Sequence, residues 1–269
     1  MISAQKILFV LVLTILILSA GCGSPSPQDT GEPLTVYAAA SLAAAFDEIG
    51  EGFEAAQTGG QVRFNFAGSQ QLAQQIAQGA PADVFASADE AQMEVAIESG
   101  RVEAGKVEVF ANNRLVVIYP PGNPAGITSL GDLGQPDLQV VLANPAVPVG
   151  HYAQEFLDRA SVQAAYGEDF KTRVSQNVVS YEENVKAVVS KVALGEADAG
   201  IVYTSDISPG DAGDLGALEI PDPLNVVARY FIAPLEDSPQ PGVASDFIAF
   251  VLSSQGQDIL AQFGLIPVQ

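Results

Sequence analysis

The sequence predicts an α/β protein of two doubly wound domains joined by crossing strands. Three observations predict it. Short runs of β-branched and small apolar residues alternate with stretches of helical spacing, which implies parallel strands with helical crossovers. Glycines stand where those helices should stop, as at Gly79 and Gly100. From about residue 106 to 120 the style shifts to longer, alternating strands, the pattern of a passage between domains. Size agrees, since 269 residues suffice for one large or two modest domains. With 48% hydrophobic and only 16% charged residues, the chain is globular rather than disordered.

In chain order, "LTVYAAA" (34–40) reads as a strand, and 42–56 as a helix with Leu42, Phe46, Ile49 and Phe53 on one face. "QVRFNFA" is a second strand, 69–78 a second helix, "DVFASA" a third strand and 90–99 a third helix. "KVEVF" and "RLVVIYPP", joined by "ANN", read as two strands that cross to the second domain. There "LQVVLANP", a helix from about 151 to 160, another around 167–175, "NVVSY", a helix over 183–194 and "AGIVYTS" form a second α/β unit. "NVVARYFIA" (225–233) returns to the first domain, and helices over 243–252 and 255–263 pack on its sheet. The first domain thus takes residues 34–112 with 216–269, and the second 113–215. A loose echo links "IAQGAPADVFAS" to "VALGEADAGIVYTS": helix, glycine stop, Ala-Asp, buried strand.

The first residues read as a targeting segment. Lys6 precedes an apolar run of fourteen residues, 7–20, too short for a membrane span of about 20 but suited to a signal-peptide core. It ends in "LSAGC", small residues before Cys22, the sole cysteine of the chain. Those residues resemble a bacterial lipoprotein cleavage box, in which the cysteine becomes the lipid-carrying N-terminus. Ser19 holds the place where that box prefers Leu, with Leu18 one further back. The resemblance implies a signal over 1–22, a membrane anchor through a lipid on Cys22, and a place in the cell envelope, on the outer face of the cytoplasmic membrane or in the periplasm. Residues 23–33, rich in Pro and Ser, then form a tether reaching at most about 35–40 Å.

The formal charge of −21 argues against nucleic acid, which needs a basic face. Few aromatics and no Trp argue against a sugar-stacking site. What remains is a recurrent junction. In "VYAAASLAAAFDEI" and "FNFAGSQQLAQQI" a strand ends in small residues and a serine, Ser41 or Ser69, opens a helix. Val149 and Val185 mark two further strand-to-helix junctions. Ligands of open α/β sheets sit outside the carboxyl ends of the strands, and helix starts there offer unpaired N–H groups and partial positive charge to anions. Either serine also reads as a plain N-cap. The two roles are compatible, because a hydroxyl that accepts from an N–H keeps its proton to give.

The segments "AAASL", "FAGSQQLAQQI", "GAPADVFASAD", "VPVGHYA", "EENV" and "ADAGIVYTSD", in this order, resemble the periplasmic molybdate-binding proteins of ABC import systems. The likeness covers most of 34–269. It implies a periplasmic-binding-protein-like fold, an oxyanion ligand (molybdate or tungstate) held by neutral donors, no cofactor, an ABC permease as partner, and a monomer that is not an enzyme. By motif, Ser41 and Ser69 would donate through hydroxyl and backbone N–H, Val149 and Val185 through backbone N–H, and Tyr203 through its phenol. Val149 stands where the family usually has Ala. Fixed dipoles would reconcile an anion with the acidic surface, whose charges are screened beyond about 8 Å at 0.15 M salt. Glu182 and Glu183 are expected in the first turn of a helix, facing solvent.

Other readings compete. Sulfate has the same charge and protonation as molybdate, leaving only cavity size to reject it. A secreted serine hydrolase using Ser41 or Ser69 with His151 would rest on the one histidine of the chain, and no G-x-S-x-G elbow is present. A purely structural envelope lipoprotein would have no use for a two-domain cleft.

Overall fold

The computed structural model describes residues 31–56, 60–207 and 215–268. Cys22 and the signal segment lie outside them, as does most of the tether. Residues Pro33–Gln269 form one unit, organised on a sheet of order β2-β1-β3-β9-β4-β7-β5-β6. The first set of strands is β1 (Leu34–Ala39), β2 (Val62–Ala67) and β3 (Val84–Ser87), all parallel. The far set is β5 (Val140–Ala143), β6 (Val178–Glu182) and β7 (Ala199–Tyr203), also parallel. Between them run β4 (Glu108–Tyr119) and β9 (Val227–Pro234), antiparallel to each other and to their outer neighbours.

The helices fall close to their expected places. They are α1 (Ala43–Ala56), α2 (Ser69–Ala77), α3 (Glu90–Glu98), α4 (Pro148–Ser161), α5 (Phe170–Gln176), α6 (Val185–Ala193), α7 (Pro241–Leu252) and α8 (Ser254–Gln262). Leu42, Phe46, Ile49 and Phe53 are all buried, as their spacing requires. Phe46 and Phe53 meet Phe247 of α7 edge-on, with ring centroids 6.1 and 5.4 Å apart. Each such ring contributes about 1.5–3 kcal/mol by burial. Gly79 and Gly100 take φ of 89° and 75°, left-handed turns that let the chain leave α2 and α3.

Three expectations differ from the structure. "KVEVF" and "RLVVIYPP" are one twelve-residue strand, β4, with a bulge between Val109 and Ala111. "ANN" stays in the ladder because Asn113 turns inward to buried partners instead of making a turn. Helix α4 begins at Pro148, not near His151: proline suits the first helical position, where no N–H is needed. Two short strands escaped prediction. They are β8 (Gly216–Glu219) and β10 (Ile266–Pro267), and both pair with β4.

Candidate functional site

A small pocket forms where the strands of both sets end. Ala39, Ala40 and Ser41 reach it from a 3₁₀ turn (Ala40–Leu42) after β1, Gly68 and Ser69 from the start of α2, and Ala88 from the end of β3. Val147, Pro148 and Val149 enter with the first turn of α4, Asn184 and Val185 with that of α6, and Tyr203 closes β7. All five residues singled out as anion donors line this one pocket. Local fit explains the approach of α4: a Cβ on Gly150 would stand 2.1 Å from the carbonyl oxygen of Asn144, so only glycine lets the helix start this close to the end of β5.

Neither serine caps a helix. Ser41 is the middle residue of the 3₁₀ turn, and its Oγ lies 2.9 Å from Tyr230 Oη. Ser69 is the first helical residue, behind Gly68, and its Oγ accepts from the backbone N–H of Ala88 at 3.1 Å. The capping expectation fails because the chain enters each helix one or two residues earlier. The hydroxyls instead bond to neighbouring strands.

Tyr203 is buried, and its Oη has no hydrogen-bond partner among the described residues. Burial first, and then the nearby Tyr230 and acidic groups, push its ionisation well above that of a free phenol, so it stays a donor. Its own backbone N–H goes to Asp206 Oδ2 at 3.1 Å. Asp206 is wholly buried, and Lys186 Nζ stands 3.5 Å from its other oxygen, which offsets a carboxylate close to the pocket. Nothing local in "YTSD" marks Asp206 for this role.

The glutamates sit elsewhere than expected. Asn184 caps α6, its side chain accepting from Ala187 N–H at 3.0 Å, so Glu182 and Glu183 precede the helix. Glu182 ends β6 and pairs with Lys191 at 2.6 Å. Glu183 is exposed but engaged: its carbonyl accepts from Gln70 Nε2 at 2.9 Å and its carboxylate from Gln71 Nε2 at 3.1 Å. These bonds tie α2 to the β6–α6 loop. Gly68 allows the approach, since a Cβ there would meet the Glu183 carbonyl at 2.6 Å. His151 is exposed on α4, and the serine hydroxyls take the partners named above rather than its ring. No group of three metal-ligating side chains and no helix fit to cross a membrane occurs among the described residues.

Hydroxyl and main-chain donors converging on a small pocket at strand ends define a protein that binds a small ligand. The chain matches the model of the bacterial extracellular solute-binding protein family over residues 34–266, and it belongs to that family. Over 250 residues it is 41% identical to the molybdate-binding protein ModA of Mycobacterium tuberculosis, with 90% of each chain covered. It is 27% identical over 261 residues to the putative ABC transporter substrate-binding lipoprotein YvgL of Bacillus subtilis, covering 96% of each. A solved substrate-binding domain of a putative molybdenum ABC transporter from Clostridium difficile superposes with a TM-score of 0.65 at 29% identity, over 88% of this chain and 99% of that one.

Proposed function

We propose that the protein captures molybdate, and tungstate with it, in this pocket and delivers it to the permease of an ABC importer. Tyr203 carries the reading. A buried phenol with no acceptor among the described residues is a cost that a binding site can repay. Beside it stand two serine hydroxyls and the starts of α2, α4 and α6, each with N–H groups that no helix can satisfy. A tetrahedral dianion uses all of these, each bond to it contributing about 1.5–3 kcal/mol. The molybdate named for the mycobacterial relative supports the choice of ligand, and the clostridial transporter domain supports the choice of partner.

The same reading makes 34–112 with 216–269 one lobe and 113–215 the other, with β4 and β9 as the crossing strands and hinge closure as the signal a permease reads. It makes Cys22 the lipid anchor, for which the lipoprotein naming of the Bacillus relative is support, and the protein a monomer with no catalytic role. Calorimetric titration of residues 33–269 tests the central claim. Molybdate and tungstate should bind tightly, and sulfate and phosphate far more weakly. Sulfate binding as tight as molybdate would move the protein to the sulfate reading, and no heat with any oxyanion would remove the site.

A further inference from the structure

The partners around Ser41 decide whether its hydroxyl gives or takes a proton. Asn113 of β4 lies at the start of the chain of contacts and is fully buried. Its Oδ1 accepts from the backbone N–H of Arg114 at 2.9 Å and from Thr204 Oγ1 at 2.9 Å. An N–H can only donate, so the amide is held one way round. The two protons on Nδ2 then go to Ser205 Oγ at 2.8 Å and to Tyr230 Oη at 3.3 Å. Tyr230, buried on β9, therefore receives a proton from one side. Its own proton has a single acceptor in reach among the described residues, Ser41 Oγ at 2.9 Å. Were Ser41 to donate instead, the phenol would keep a buried proton with nowhere to place it, the costlier arrangement.

We infer that Tyr230, oriented by Asn113, is a positioning residue that fills the acceptor side of Ser41 and turns the Ser41 proton into the pocket. Burial raises the ionisation of Tyr230 far above the free value, so the phenol retains the proton the relay needs. On the other serine the Ala88 N–H does the same work, filling Ser69 Oγ from behind. With Tyr203, three O–H groups can face the ligand, and each serine oxygen has one of its two lone pairs filled from behind. Such a lining favours an oxyanion without protons over one that carries a proton, because each serine has fewer lone pairs left to accept that proton. The inference rests on the oxyanion reading above and adds to it a cause of selectivity outside the pocket wall.

The test uses the full chain at pH 8 with sodium molybdate, and with phosphate as a competitor that is mostly the singly protonated dianion. Asn113→Asp puts an acceptor where Nδ2 was. Tyr230 should then turn its proton to it, and Ser41 should donate to Tyr230 and present a lone pair to the pocket. Both probes are dianions, so the added charge acts on each alike and the ratio of their affinities reports proton direction. We expect molybdate to weaken about 100-fold and the molybdate-to-phosphate ratio to fall at least about tenfold. Tyr230→Phe, which keeps the packing should the aspartate variant not fold, is expected to cost about tenfold in the parent and under about twofold in a Ser41→Ala background. Equal losses in both backgrounds, or an unchanged ratio, would overturn the relay while leaving the binding site in place. A parent chain that binds no molybdate would sink the oxyanion reading and the relay with it.

Discussion

Two stretches, one in each strand set, are built to the same plan. Gly79 ends α2 with φ 89°, and Gly195 ends α6 with φ 71°. Asp83 then accepts from the N–H of Thr35 at 2.7 Å and donates its own N–H to the Thr35 carbonyl. Asp198 does the same with Gln139, its carboxylate accepting at 2.9 Å. A parallel strand follows in each case. Yet the two sets put different chemistry into the pocket. The first presents the hydroxyls of Ser41 and Ser69 beside the start of α2. The second presents the first turns of α4 and α6 at Val149 and Val185, whose side chains are buried in the core, and adds only the phenol of Tyr203. Where a side chain is the donor, residue type matters. Where the main chain is the donor, only backbone geometry does.

The largest effects should therefore fall on the hydroxyls. Ser69→Ala and Tyr203→Phe should each weaken molybdate about 10- to 100-fold, since each removes one bond to a dianion. Their stabilities should diverge. Ser69→Ala strands the buried N–H of Ala88 and should cost about 1–3 kcal/mol in chemical denaturation. Tyr203→Phe removes an oxygen that has no partner among the described residues and should leave the melting temperature unchanged or higher. If both variants bind like the parent, the contrast between the two sides is wrong.

Next comes the seam between the sides. Gly68→Ala drives a Cβ into the Glu183 carbonyl and the Gln70 amide, parting α2 from the β6–α6 loop. About a tenfold loss of affinity is expected, of the order of one bond to the ligand. Scattering should show a larger radius of gyration in the presence of molybdate than the parent has. Parent-like affinity would mean that the Gln70, Gln71 and Glu183 contacts are incidental.

The same contrast explains what could be read in advance. Regular elements were legible because period shows in local sequence, as at Leu42, Phe46, Ile49 and Phe53. Ser41 and Ser69 were legible as polar breaks between small residues and helices, although their partners were not. Tyr230 sits in "NVVARYFIA" as one more large residue of a strand, and its relay exists only once β4 and β9 pair. Asn113 carried a turn signal that tertiary contacts overrode. Val149 and Val185 were legible as strand-to-helix junctions, but their part as donors came from family resemblance alone, because a backbone N–H leaves no mark on residue type.

That last point yields the smallest expected effect. Val185→Ala and Val149→Ala should change molybdate affinity less than about threefold, since they keep each N–H and the helix start that aims it. Stability should fall by about 1–2 kcal/mol for the lost methyl groups, offset in part by the better helix propensity of Ala. Val185→Pro makes the comparison sharp. Val185 is the first residue of α6, where proline is tolerated, and Asn184 before it is extended at φ −159°, ψ 169°, as a residue preceding proline must be. The helix should persist while one donor disappears, so Pro should weaken binding about tenfold where Ala does not. Calorimetry of the two variants side by side decides it. Equal affinities would mean that the main chain at Val185 gives the ligand nothing. A large loss in Val185→Ala would mean that the isopropyl group shapes the pocket, and that residue type matters on both sides after all.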